Sequence, residues 1–262
     1  MTRDAFEAYV PVPHNRTSDE IVRQIELLIL EGVLRDNERL PSERDLSARF
    51  DVSRPILREA LKELEARGLL VSRHGGGTFV ADVIGEVFSR PVTELIARHS
   101  KATQDYLEYR RELEGMTAAF AAERATRFDR ELLTGIMEQM QAAHLAGSAE
   151  AGLKADVDFH EAIGESAHNV ILLHTLRACY RLLSDGIFFN REMLFAAPGA
   201  GDRLLAQHRA IYDAIMAGDP KAARAASEAH IDFIVQATRD AERTGNWDRT
   251  SRLRLQQRQP QD

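Results

Sequence analysis

Two sets of residues in this chain have the types and spacing to do chemistry. The first is basic. Arg54 and Arg58 stand one helical turn apart just after Ser53, and Arg44 and Arg49 precede them. An arginine fork matches two acceptors on a guanine edge or the oxygens of a phosphate, so such a row can read or grip DNA. Each of these arginines taken alone is equally at home on a solvated helix face. The second set is ligand-like. Asp156 and His160 are four residues apart in KADVDFHEAIGES, which stacks both side chains on one helix face. His208 in LLAQHRAIYDAI and His230 in ASEAHIDFI fall in two later helical patterns. A carboxylate oxygen and neutral imidazoles suit a divalent transition metal, zinc foremost. Facing helices in a bundle often build such sites. Periodicity does not decide whether these four converge, and an Asp-x-x-x-His pair by itself is usually an exposed pair or a cap.

Arg110 is a third candidate. In DYLEYRRELEGMTAAF the apolar residues Leu107, Leu113, Met116 and Phe120 mark the face expected to be buried, and Arg110 has Tyr106, Leu107, Leu113 and Glu114 at helical spacing. A buried guanidinium needs an anion or hydrogen-bond acceptors. Either Glu114 supplies them as a structural pair, or Arg110 is a clamp for the carboxylate of a small acid. Asn169 is a polar candidate for the same pocket, or a helix cap. His14, His99, His144, His168 and His174 carry no such argument; His168 reads as a turn or cap residue. Cys179 reads as a packed residue rather than a nucleophile, and Trp247 as a staple for the tail.

These residues need elements to place them. Ser18 precedes DEIVRQIELLILEG, whose Ile21, Ile25, Leu28 and Ile29 make a helical face ending at Gly32. Ser42, with Asp45 three residues on, starts a short second helix. Asp51-Val52-Ser53 is a tight turn, and Ser53 can cap a third helix that tolerates Pro55 in its first turn. Leu57, Ala60, Leu61 and Leu64 form that helix's apolar face, with Gly68 as its stop. LLVSRHGGGTFVA then reads as two short strands around a glycine turn. Three helices and a hairpin in this order make a winged helix-turn-helix, whose third helix leads with the residues that reach base edges. Beyond about residue 82 the patterns are helical almost without interruption.

The chain has 262 residues, 44% hydrophobic and 29% charged, with a formal net charge of −7. That is a globular composition with room for two domains. Bulk charge does not advertise nucleic-acid binding, but residues 39–73 hold eight basic and six acidic side chains, net +2. The positive charge sits where the motif wants it. No apolar run reaches the ~20 residues of a membrane span, and the N-terminus lacks a secretory pattern. One cysteine excludes an intrachain disulfide and fits a reducing cytoplasm. No nucleophile motif and no placed general base accompany the candidate ligands, so the expectation is not an enzyme. A metal-dependent hydrolase carrying a DNA-binding-like unit, and a pure metal sensor, are the alternatives.

The stretch LPSERDLSARFDVSRPILREALKELEARGLL followed by GGGTFV resembles the DNA-binding domain of GntR-family transcription regulators. The helical remainder is similar to the ligand-binding domain of the FadR subfamily. The likeness to its pyruvate-responsive branch rests on RHGGGTFV, ESAHNVILLHTLR, and REML followed by HRAIYDAIMAGDPKAARAASEAHIDFI. The resemblance implies a mainly α chain: a winged helix-turn-helix over 1–82, a linker over 83–93, an all-α effector-binding and dimerisation domain over 94–245, and a basic tail over 246–262. It implies that Arg44, Ser53, Arg54 and Arg58 contact operator DNA, with His74 and Gly75 as the wing tip in the minor groove. It implies Asp156, His160, His208 and His230 as metal ligands, and Arg110 as a residue lining the effector cavity. The function implied is a homodimeric repressor that binds a palindromic operator and answers to a small acid such as pyruvate, lactate or glycolate.

Overall fold

The computed structural model describes residues 18–83, 90–184 and 199–258. REML at 191–194 and His14 lie outside them. The chain divides between Val87 and Phe88 into two units.

The first unit is built by three short helices and a hairpin. Helix α1 (Ser18–Leu30) buries Ile21, Val22, Ile25 and Ile29. Helix α2 (Glu43–Phe50) begins at Ser42, whose Oγ accepts from the Asp45 amide at 3.2 Å. It ends at Asp51 in the left-handed region, which turns the chain sharply into α3 (Arg54–Ala66). Ser53 holds the cap position of α3, but its hydroxyl makes no capping bond. That departs from the expected side-chain cap; Pro55 in the first turn removes one amide that would otherwise need an acceptor. Leu57, Ala60, Leu61 and Leu64 close over α1, α2 and the hairpin to form an all-apolar core.

Strands β1 (Leu70–Arg73) and β2 (Gly77–Val80) pair antiparallel, with Leu70 opposite Val80 and Arg73 opposite Gly77. The loop is His74-Gly75-Gly76, and Gly75 has a φ of 70°. Gly77 suits its place by its backbone first. Its φ is 99°, and a Cβ there would meet Arg39 Nε at 3.1 Å. The segment before α2 adds a third rung that the sequence did not suggest: Arg39 bridges Phe79, and the Leu40 amide donates to the Thr78 carbonyl.

The second unit is helical throughout its described residues: α4 (Arg90–Arg98), α5 (Ser100–Arg124), α6 (Arg127–Leu145), α7 (Ala149–Ser166), α8 (Val170–Ser184), α9 (Ala200–Ala217) and α10 (Pro220–Arg258). Helix α4 begins inside the span read as linker. Helix α10 continues through Arg258, into the span given above as a basic tail. A lone Gly245 lowers helix propensity by only ~1 kcal/mol and no proline follows it before Arg258, so nothing breaks the helix. Trp247 is exposed, with the Arg243 guanidinium 5.4 Å from its ring, and staples nothing to the core.

Helix α5 is central. It packs against α7, α8, α9 and α10. Its contact with α10 is close because Gly115 leaves no side chain there: a Cβ would stand 2.9 Å from Glu228 Cγ. Helices α6 and α7 lie together and join α9 around Leu133, Met137, Phe159, Ile211 and Ile215. Helix α6 starts with a full capping box, in which the Asp129 amide donates to Thr126 Oγ1 and the Thr126 amide donates to Asp129 Oδ2. Among the described residues no helix is long and apolar enough to cross a membrane.

Candidate functional site

In the first unit the candidate site is a surface. Arg54 and Ser53 are exposed at the start of α3, and among the described residues no ion-pair partner holds Arg54. Arg58 is exposed on the next turn and reaches across to α2, where its Nε donates to Glu43 Oε2 at 2.8 Å. Arg44 is largely exposed, with its Nε 3.5 Å from Asp45 Oδ1. His74 and Gly75 form the exposed hairpin tip. Arg73 is fixed beneath that tip, stacked 4.2 Å from the Phe79 ring centroid and donating from Nη2 to Asn37 Oδ1 at 3.0 Å. Exposed ion pairs such as Arg58–Glu43 contribute little to stability, so exchanging a carboxylate for a phosphate or a base edge is cheap.

In the second unit the candidate site is buried. His160 on α7, His208 on α9 and His230 on α10 are each 1–3% exposed. One nitrogen from each lies within 4.8 Å of the others. Nε2 of His160 is 3.3 Å from Nε2 of His208. The rings are centred 5.3, 5.3 and 4.6 Å apart, and Phe159 sets its edge against two of them. His230 Nδ1 faces Gln207 Oε1 at 3.1 Å; as donor there it leaves Nε2 with the lone pair. Asp156, expected as the fourth ligand, approaches from one side, with Oδ1 3.2 Å from His208 Nε2. The tight group is the three imidazoles, with Asp156 adjoining it.

Behind the imidazoles stands a second buried set. Arg110 donates from Nε to Glu114 Oε1 and from Nη2 to the Tyr180 hydroxyl at 2.9 Å. Tyr180 in turn donates to Glu114 Oε1 at 2.8 Å. The other carboxylate oxygen, Oε2, lies 3.0 Å from His160 Nδ1. That is close enough for an ion pair, and Oε2 is buried with no other polar partner.

Electrostatics follow from this packing. Burial alone would raise the Glu114 carboxyl; Arg110, and after it His160, outweigh burial and hold it far below the usual carboxylate range. Burial lowers His208 despite Asp156. Burial together with the neighbouring imidazoles holds His230 well below the usual histidine range. Neutral imidazoles are the form that offers lone pairs to a metal. The residues present therefore fit a divalent transition ion: three buried nitrogens in one group, a carboxylate at its edge, and an orphaned oxygen behind it.

Arg110 is the structural pair of Glu114 here. It is absent from the lining of the cavity of about 310 Å³ that reaches the cluster, which Met140, Ala143, Leu204, Leu205, Asp156 and His208 help to wall. Tyr180, which has no signature in the sequence, joins Glu114 in occupying the guanidinium. Asn169 takes its capping role, accepting at Oδ1 from the Ile171 and Leu172 amides at 3.1 and 3.2 Å. His168 adopts a φ of 46° and meets Asp129 Oδ2 at 2.9 Å. Cys179 is buried, which pushes its thiol up to about 11. Sequence reasoning missed Gln207 and the cavity.

Comparison with known proteins agrees with both units. Residues 17–80 match the family described as bacterial regulatory proteins, gntR family, and residues 105–233 match the FCD domain. A regulatory protein ascribed to the L-lactate dehydrogenase operon of Escherichia coli (strain K12) is 39% identical over 223 residues, covering 84% of this chain and 85% of the relative. The Glc operon transcriptional activator of the same organism is 31% identical, over 86% and 90% of the two chains. The transcriptional regulator LutR of Bacillus subtilis (strain 168) is 32% identical, over 79% and 94%. Among solved structures, a Streptococcus agalactiae GntR protein superposes with a TM-score of 0.54 at 26% identity, over 84% of this chain and 99% of that one. These relatives are transcription regulators and not enzymes. A gntR-type DNA-binding unit followed by an FCD domain, with such relatives matched over most of its length, places this chain in the GntR family of bacterial transcription regulators.

Proposed function

We propose that this regulator is a homodimeric repressor in the cytoplasm that binds a palindromic operator and answers to a small 2-oxo or 2-hydroxy acid through a metal-bearing site. The observation that carries the reading is the group of three buried imidazoles, one nitrogen of each within 4.8 Å of the others. His160, His208 and His230 would hold the ion, with Asp156 at its edge, and zinc suits this donor set. When bound, the ion would supply Lewis acidity and open positions for oxygen ligands. Asp156 and His208 line the cavity, which gives a small molecule a route to the cluster. An acid of pyruvate or lactate size has too few apolar atoms to bind by burial alone and must be held by its oxygens. The relative ascribed to the L-lactate dehydrogenase operon supports this class.

On DNA, Arg54 and Arg58 at the start of α3 would meet base edges, Arg44 the backbone, and His74 with Gly75 the minor groove. One such unit covers a half-site, and two-fold symmetry joins two. Occupying a promoter is enough to repress it. An acid changes operator affinity only if it favours one arrangement of the dimer. The test is a thermal-shift screen of pyruvate, lactate and glycolate against zinc-loaded and metal-stripped protein. An acid at ~100 times its dissociation constant adds about 2.7 kcal/mol of stability. The reading expects that gain in the loaded protein only.

A further inference from the structure

We infer that Glu114 is a positioning residue for the metal site: it orients His160 from behind, and Arg110 with Tyr180 holds Glu114 in place. The inference rests on the reading that the three histidines bind a divalent ion, and it assigns a role to residues outside that ligand set.

The two nitrogens of His160 face different groups. Nε2 faces the other imidazoles, at 3.3 Å from His208 Nε2. Nδ1 faces Glu114 Oε2 at 3.0 Å. Glu114 therefore stands on the far side of the ring from the ligand group and does not belong to it. A carboxylate facing Nδ1 favours the tautomer that carries its proton there and leaves the lone pair on Nε2. The carboxylate itself has no freedom. Its Oε1 accepts from Arg110 Nε and from the Tyr180 hydroxyl, and Arg110 Nη2 donates to that same hydroxyl. The one oxygen left without a well-formed bond is the one aimed at His160. Gln207 stands in the same relation to His230, facing Nδ1 at 3.1 Å. Two of the three imidazoles thus have a polar group facing Nδ1, each on a different helix.

The experiment measures zinc affinity of the full chain by competition with a chromophoric chelator, alongside the visible spectrum of the cobalt-substituted protein. Glu114→Gln keeps the shape but strands the buried Arg110 charge beside a neutral neighbour, which destabilises the fold. The pair Arg110→Met with Glu114→Gln removes both charges together, and Tyr180→Phe loosens Glu114 without touching its charge. The inference expects zinc to bind 10–100-fold more weakly in the paired variant, as when a carboxylate behind a ligating histidine is removed. Tyr180→Phe should lie between it and the parent, and the cobalt spectrum should change in both. Far-ultraviolet circular dichroism of the metal-free proteins should coincide. Zinc affinity within twofold of the parent and an unchanged cobalt spectrum in the folded paired variant would overturn the inference and leave the metal reading standing. Failure of the parent chain to bind zinc would overturn both.

Discussion

The two units place their polar chemistry at opposite ends of the burial scale. In the first, no charged side chain is buried among the described residues and every candidate DNA-contacting group is on the surface, where Arg58 and Arg44 lean on nearby carboxylates. In the second, Arg110, Glu114, His160, His208 and His230 occupy the core itself. An exposed cation can change partners at little cost. A buried one is committed, because removing its partner strands a charge in a poor solvent. The first arrangement suits a surface that must meet a long polyanion and leave it. The second suits a site that must hold one small ligand in one geometry.

The sharpest way to break this contrast is to remove one partner from each kind of pair. Glu114→Leu should cost about 3–5 kcal/mol in urea unfolding followed by the helical signal, whereas Glu43→Leu should cost no more than about 1 kcal/mol. Pairing Arg110→Met with Glu114→Leu should recover most of the loss. Equal effects at the two sites would mean that the buried pair is solvated in solution.

The second effect is metal-dependent. Zinc at ~100 times its dissociation constant should stabilise the chain by about 2.7 kcal/mol, reversibly with a chelator. His208→Ala should abolish that gain while operator binding without effector persists. A gain that survives His208→Ala would place the metal elsewhere.

Next comes the surface. Arg54→Ala should lose about 1–3 kcal/mol of discrimination at one base position in gel-shift titrations with permuted operators. If specific and nonspecific DNA weaken alike, Arg54 meets phosphate and does not read sequence.

The smallest effect tests the frame that carries the buried site. Thr126→Ala removes the cap of α6 and should cost about 1 kcal/mol in thermal unfolding. No change in midpoint would show that the first turn of α6 is fixed by packing alone.

The same contrast explains what could be read from the sequence. The winged unit was legible because its logic is local: Ser42 and Asp51 bound α2, Pro55 opens α3, and the glycines set the hairpin, all within a few residues of what they control. The Arg39–Phe79 bridge escaped, since it joins segments forty residues apart, and Ser53 holds its cap position without the capping bond its type suggests. In the second unit the ligand types were visible and their convergence was not. His160, His208 and His230 meet because α7, α9 and α10 all pack on α5, a tertiary fact that helical periodicity does not contain. Met116 and Phe120 were expected on the buried face of α5, yet both are only partly buried while Glu114 and Thr117 are inside. A polar residue in the apolar stripe is easily read as the stripe's edge. Thr126 and Asp129 carry a plain cap signature that the reading passed over.

One titration bears most directly on the central claim that the histidine cluster is the sensing site. Pyruvate, lactate and glycolate are added in turn to zinc-loaded and to metal-stripped protein, and binding is followed calorimetrically. At least one acid should bind the loaded protein, and the same acid should bind the stripped protein at least tenfold more weakly. Equal binding to both forms, or no binding of any of the three to the loaded protein, would contradict that claim.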